Sequence, residues 1–194
     1  MPVSSVPASL RTPRLELRRW SVDDLDPVMA AIAASIESLR LWMPWAAHGV
    51  PSRHAELRAF EAGVVDFDRD TDWQFSLFEI DSGALVGGCG LHRTETAGRV
   101  EIGYWTHVDR QGRGYATEAA AALVDVAFGF LDWVDEIQVR MDRANLGSVH
   151  VPGKVGFEMI GEQSRAISTP GHTGRGLVWS LDRRTWQSTG CAPT

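Results

Sequence analysis

The sequence predicts one α/β (α+β) domain of interleaved strands and helices, and three observations carry that reading. Its 194 residues suit a single core, and 44% apolar with 23% charged residues is ordinary globular usage that excludes wholesale disorder. Strand-period and helix-period segments alternate with no linker long enough to separate two domains. One strand–helix–strand crossover, over about residues 100–141, calls for two parallel strands joined in the right-handed sense.

The elements follow in order. Residues 1–13 are Ser/Pro-rich and read as an extended lead-in; the domain proper runs 14–187, and 188–194 form a loose tail. Leu15 to Trp20 alternates apolar and polar, a strand. Ser21 offers an N-cap with Asp23 and Asp24 behind it, for a helix to about Ser35, and a second short helix spans Ile36 to Leu41. Trp42-Met43-Pro44-Trp45 is an aromatic loop broken by proline. Ser52 caps a helix reaching about Asp68. Gln74 to Ile80, a turn at Asp81-Ser82-Gly83, and Ala84 to Leu91 make a hairpin. Gly87, Gly88 and Gly90 mark a bulge or a close backbone approach in the returning strand.

Val100 to His107 is the next strand. The strongest helix follows it, with Glu118, Asp125, Asp132 and Glu136 on one face and Leu123, Val126, Ala127 and Phe130 on the other. Glu136 to Met141 is a strand, a short helix follows Asn145, and strands cover Phe157 to Glu162 and Leu177 to Leu181. A Gly-rich loop, Thr169 to Gly176, joins the last two.

Composition narrows the function. Nineteen Lys and Arg against 25 Asp and Glu, a net charge of −6, argue against a general nucleic-acid or anionic-membrane surface. Cys89 and Cys191 make neither a disulfide framework nor a zinc set, and the reducing cytoplasm is the simplest compartment. Cys89, on the glycine-rich strand, reads as a small buried residue. The N-terminus lacks a basic and then apolar leader. The longest apolar candidate, Ala119 to Val134, carries Asp125 and Asp132, which excludes a membrane span. His54, His92, His150 and His172 show no metal-ligand spacing, so no metal is expected.

The segment Gln111-Gly112-Arg113-Gly114-Tyr115-Ala116-Thr117-Glu118 lies between a strand and the strongest helix. Gly112 and Gly114 let the backbone curl, and first-turn N–H groups with the helix dipole make a main-chain pyrophosphate cradle. A tight loop is the plain alternative. A dinucleotide fingerprint would need a third glycine, but position 117 is Thr. No Gly-Lys-Ser/Thr follows, which excludes a triphosphatase loop.

This chain resembles the GNAT superfamily of N-acetyltransferases, whose phosphate motif Gln/Arg-x-x-Gly-x-Gly/Ala is matched by Gln111-Gly112-Arg113-Gly114-Tyr115-Ala116. It is closest in pattern to the RimJ/RimL-like branch of ribosomal-protein N-terminal acetyltransferases. The marks are Thr12-Pro13-Arg14-Leu15-Glu16-Leu17-Arg18, Trp42-Met43-Pro44-Trp45, Glu101-Ile102-Gly103-Tyr104-Trp105, and Asn145-Leu146-Gly147-Ser148 leading to Lys154-Val155-Gly156-Phe157. They span about residues 12–187. The resemblance implies a mixed, mostly antiparallel sheet, flanked by helices, whose two central parallel strands splay around a coenzyme A arm. It implies acetyl-CoA as co-substrate, held by Gln111, Gly112, Arg113, Gly114, Tyr115, Ala116 and Thr117 at the diphosphate. Trp105, Thr106 and His107, with Asn145, would flank the arm. This branch often forms homodimers.

The implied reaction is direct attack of an amine on a thioester. The amine must lose a proton, the tetrahedral oxyanion must be held, and the leaving thiolate must be protonated or stabilised. Glu101 resembles the branch's general base, acting through water, and Ser148 the group that protonates the departing sulfur; an ordinary charge on a strand face and a first-turn serine bonding helix N–H groups are their plain alternatives. Many members place a tyrosine at the position of Pro152 instead. Pro152 removes the amide that would bond the Ser148 carbonyl, so the helix should kink or shorten and that carbonyl should be free or water-bonded. Trp42, Trp45 and His48 lie where the branch builds its acceptor pocket; core plugging is the plain use of both tryptophans. His107, at a strand end, reads as a proton relay or a structural residue. The expected acceptor is a protein N-terminal amine. The alternatives are a small-molecule amine, an acyl-CoA sensor without turnover and, in a different class, a nicotinamide-binding oxidoreductase.

Overall fold

The computed structural model describes residues 5–188. Eight strands form one sheet: β1 (Ser9–Arg11), β2 (Leu15–Arg19), β3 (Asp72–Glu79), β4 (Leu85–Arg93), β5 (Arg99–Thr106), β6 (Glu136–Asp142), β7 (Glu158–Ser164) and β8 (Arg175–Asp182). Five helices accompany it: α1 (Leu25–Trp42), α2 (Arg53–Asp68), α3 (Tyr115–Phe130), α4 (Leu146–Val155) and α5 (Arg183–Ser188). The strand order is β1-β2-β3-β4-β5-β6-β8-β7. Every neighbouring pair is antiparallel except β5 and β6, which α3 connects.

That parallel pair is brief. Arg99 faces Glu136, Val100 faces Ile137 and Glu101 faces Gln138, and there the pairing stops. From Ile102 onward β5 stays with β4, while β6 stays with β8 from Val139 onward. A wedge therefore opens at Glu101, with one backbone edge of residues 102–106 left unpaired. The expected splayed, mostly antiparallel sheet is the sheet observed.

Helices cover both faces. α3 and α4 close the larger core, where Phe75, Leu91, Ile102, Leu123 and Ile137 are fully buried. α1 and α2 close a smaller one around Ile32, Leu39 and Phe60, on which Trp20 stacks at 4.3 Å. Each such buried side chain stabilises the fold by roughly 1.5–3 kcal/mol.

Local chemistry sets the boundaries. Ser52 Oγ accepts from the Ala55 amide and starts α2 where expected. Ser21 instead caps a single 3₁₀ turn, Val22–Asp24, so α1 begins at Leu25. α1 is one helix rather than two. Ile32, Ser35 and Leu39 form one buried stripe, and Ser35 Oγ accepts from the Val108 amide at 3.0 Å, so Ser35 docks the helix instead of ending it. α3 stops at Phe130, so Asp132 and Glu136 are not on its face. Glu136 opens β6 and takes Arg99 Nε at 2.7 Å. Arg183 fastens the α3 terminus, giving three N–H groups to the carbonyls of Phe128, Leu131 and Val134 at 2.6–2.8 Å. β1 and α5 have no counterpart in the sequence reading. Beyond Ser188 the expected tail, with Cys191, lies outside the described residues.

Candidate active site

The bend between β5 and α3 carries the anion-binding features. Gly112 and Gly114 sit at φ +72° and +84°, conformations that a Cβ would strain. With these turns in place, the amides of residues 112–117 meet no acceptor among the described residues. They stand at the positive end of the sixteen-residue helix α3. The cavity beside the bend, about 400 Å³, is lined by His107, Asp109, Arg110 and Arg113. Unpartnered amides and two flanking guanidinium groups fit a diphosphate.

The bend is held from outside. Glu118 Oε1 accepts from the Thr12 hydroxyl and the Arg14 amide, and Glu118 Oε2 takes Arg14 Nε at 2.7 Å. Arg14 Nη1 then donates to the Arg113 carbonyl at 2.9 Å. Burial works to raise the Glu118 carboxyl, but these bonds outweigh it and hold it below the usual range.

The wedge holds a cavity of about 200 Å³ lined by Glu101, Tyr104, Asn145 and Ser148, with Trp42 and Arg140. Asn145 caps α4, its Oδ1 accepting from the Ser148 amide at 3.3 Å. Glu101 lies 3.7 Å from Arg140 Nε. Burial raises the Glu101 carboxyl, against the pull of Arg140, His92 and Arg165. α4 continues through Pro152 to Val155. The Ser148 carbonyl, expected free or water-bonded, instead accepts from the Tyr104 phenol at 3.3 Å. The Ser148 hydroxyl lies 3.0 Å from the same phenol oxygen. Burial pushes the Tyr104 phenol up to about 12, so it acts as a neutral hydrogen-bonding group.

A second, largely apolar cavity of about 510 Å³ lies on the α1/α2 face. Trp20, Val28, Ile32, Met43, Trp45 and Trp105 wall it, and Glu56 contributes a carboxylate that burial raises. The Trp105 indole covers Gly88, where a Cβ would come within 2.7 Å of Nε1. Cys89 is buried beneath, its thiol pushed up by desolvation. Met43, His92, Gly103 and Tyr104 line both cavities, so the two meet there.

The predicted residues thus divide. Glu101, Ser148 and Asn145 share the wedge with Trp42, while Trp45 and Trp105 wall the apolar cavity. Thr106 ends β5 on the open edge. His107 caps the next turn, its Nδ1 accepting from the Asp109 amide at 3.1 Å. Gln111 reaches toward Ser38 at 3.5 Å. Ala116 and Thr117 offer first-turn amides. The Tyr115 side chain turns inward to bond Glu79, leaving only its amide at the bend. His48 is exposed and lines neither cavity. Sequence reasoning assigned no role to Tyr104, Arg140, or the pairing of His92 with Asp72. The first had a signal: Pro152 leaves a carbonyl without its amide, and a facing phenol is the chemical answer. Among the described residues no cluster is arranged to hold a metal, and no helix is long and apolar enough to cross a membrane.

A profile of the acetyltransferase (GNAT) domain family matches residues 14–158. YdaF of Bacillus subtilis (strain 168), named as a candidate ribosomal N-acetyltransferase, is 27% identical over 136 residues, 70% of this chain and 66% of its own. The aligned part of the chain spans between about half and two thirds of the first curated relatives it matches. RimL, a ribosomal L7/L12 α-N-protein acetyltransferase solved with coenzyme A, superposes with a TM-score of 0.80 at 16% identity, covering 93% of this chain and 98% of that one. MccE, the microcin C7 self-immunity acetyltransferase solved with acetyl-CoA and AMP, reaches 0.81 at 16% identity, covering 92% and 98%.

Proposed function

The chain belongs to the GNAT acetyltransferase family, and from that membership we propose that it transfers an acetyl group from acetyl-CoA to a primary amine, most naturally a protein N-terminus. One observation carries the reading. The wedge opens along β5 toward the bend with the unpartnered amides of residues 112–117, and its cavity meets the apolar cavity at Met43, His92, Gly103 and Tyr104. A donor lying in the wedge and an acceptor entering through the apolar cavity can therefore meet beside Glu101, which lines the wedge.

Gln111, Gly112, Arg113, Gly114, Ala116 and Thr117, with the Tyr115 amide, would hold the diphosphate. The main chain of Trp105, Thr106 and His107 and the Asn145 side chain would flank the arm. The thioester supplies an activated acyl carbonyl with a good leaving group. Glu101 draws the acceptor amine to the apex of the wedge and takes part in removing its proton. The Ser148 hydroxyl, oriented by Tyr104, gives a hydrogen bond to the departing sulfur. Trp42 and Trp45 shape the acceptor's approach. The likeness of RimL and YdaF supports a protein acceptor.

A small amine is the second reading, favoured by the size and apolar walls of the cavity on the α1/α2 face, which suit a compact ligand. Release of coenzyme A thiol with a panel of N-terminal peptides, polyamines and small amines, read with product mass, tests both. Acetylated product names the acceptor class. Saturable coenzyme binding with no thiol release for any amine makes the protein a sensor, and no coenzyme binding ends the reading.

A further inference from the structure

Three ionisable residues form one row across the sheet. Asp72 on β3 is the register partner of His92 on β4, and His92 is the partner of Glu101 on β5. His92 Nδ1 lies 2.7 Å from Asp72 Oδ2, while Gln74 Nε2 holds the other Asp72 oxygen at 2.9 Å. A carboxylate at this distance accepts a hydrogen bond from Nδ1–H, so the free lone pair of the neutral ring is on Nε2. Nε2 has no hydrogen-bond partner among the described residues. It stands over Gly103, where a Cβ would come within 3.0 Å of it. His92 and Gly103 both line the junction of the wedge with the apolar cavity.

We infer that His92, oriented by Asp72, is the proton acceptor that works with Glu101 on the incoming amine. This rests on the acetyl-transfer reading above. Burial raises the Glu101 carboxyl and Arg140 beside it works the other way, yet it remains a carboxyl, whose ordinary range lies below that of an imidazole. A base suited to neutral pH needs a proton affinity near that pH. The groups facing His92 supply one. Burial alone would lower its affinity, but Asp72 and Glu101 more than offset it and leave the ring above its ordinary value. Arg140 and Arg165 act on the neighbouring Glu101, and Glu56 lines the same cavity from α2.

The step balances. The amine nitrogen forms a bond to the acyl carbon, and the carbon–sulfur bond breaks with its electron pair going to sulfur. The nitrogen's surplus proton passes through Glu101 to His92 Nε2 and then to solvent. Sulfur takes one proton from solvent, so one leaves nitrogen for each that reaches sulfur. His92 is a catalytic residue in this scheme and Asp72 a positioning residue.

The test is the pH dependence of kcat with two acceptors of different amine pKa, so that a limb common to both belongs to the enzyme. Wild-type kcat should rise with pH through a common limb above 6.5, where His92 loses its proton. His92→Gln should remove that limb and lower kcat roughly 100-fold. Asp72→Asn should move the limb to lower pH. Acetyl-CoA affinity by calorimetry should stay within about threefold in both variants, which checks folding. NMR titration of the His92 ring in wild-type protein gives the same value without turnover. If the common limb survives in His92→Gln or stays unmoved in Asp72→Asn, or the ring titrates at or below 6.5, this inference fails while acetyl transfer stands. If wild-type protein turns over no amine, both fail together.

Discussion

The Tyr104 phenol does for Ser148 what the missing amide of Pro152 cannot. It lies 3.3 Å from the Ser148 carbonyl and 3.0 Å from the Ser148 hydroxyl, joining β5 to α4 across the wedge. Tyr104→Phe should therefore cost about 1 kcal/mol of stability, the worth of one neutral hydrogen bond. In a Pro152→Ala background the restored amide at 152 serves the same carbonyl, so the cost should shrink by roughly half. Denaturant unfolding of the four proteins of this cycle measures the coupling, and strict additivity would remove the explanation.

Gly114→Glu should abolish acetyl-CoA binding, weakening it at least roughly 100-fold, because a side chain and a negative charge enter at the amide cradle. Calorimetry reads the loss, and circular dichroism checks that the fold survives. Retained affinity would place the diphosphate elsewhere.

Glu101→Gln should lower kcat roughly 100-fold and leave acetyl-CoA affinity almost unchanged, since the substitution keeps size and removes charge at the wedge apex. Steady-state kinetics alongside calorimetry separate the two effects. Unchanged turnover would take Glu101 out of the mechanism.

Asp142→Asn should destabilise the fold in a pH-dependent way. Burial works to raise this carboxyl, but the amides of Ala144 and Thr173, the Thr173 hydroxyl and the charge of His172 outweigh it and hold it low. A group with a depressed folded pKa stabilises fully above its unfolded value and loses that contribution as pH falls through the folded one. The variant's deficit, about 2 kcal/mol, should be constant from pH 5 upward and shrink below about pH 4. Thermal unfolding of both proteins across pH 3–7 measures it.

Much of this was legible where one local signal decides the outcome. Ser52 starts α2, Asp81-Ser82-Gly83 turns the hairpin, and Gly112 and Gly114 open α3, because each acts within four residues of its effect. The misreadings share a cause in long-range contacts. Ser35 looked like a helix end because its partner, the Val108 amide, is 73 residues away. The α3 face was extended to Glu136 because nothing nearby announces that Arg99 claims that carboxylate. α5 had a readable start in Asp182, whose carboxylate accepts the Thr185 amide at 2.8 Å. In the site, Glu101 and Ser148 carry recognisable motifs. The Asp72–His92 pairing depends on strand register, which no linear spacing encodes.

The clasp of Thr12 and Arg14 on Glu118 also limits how far the chain can be trimmed from its front. A deletion through Arg14 would cut nothing that borders either cavity, yet it would unfasten the bend that presents six backbone donors as one preformed surface. The shortened protein would have to order that segment each time coenzyme arrives, so its loss should appear as weaker capture rather than slower chemistry.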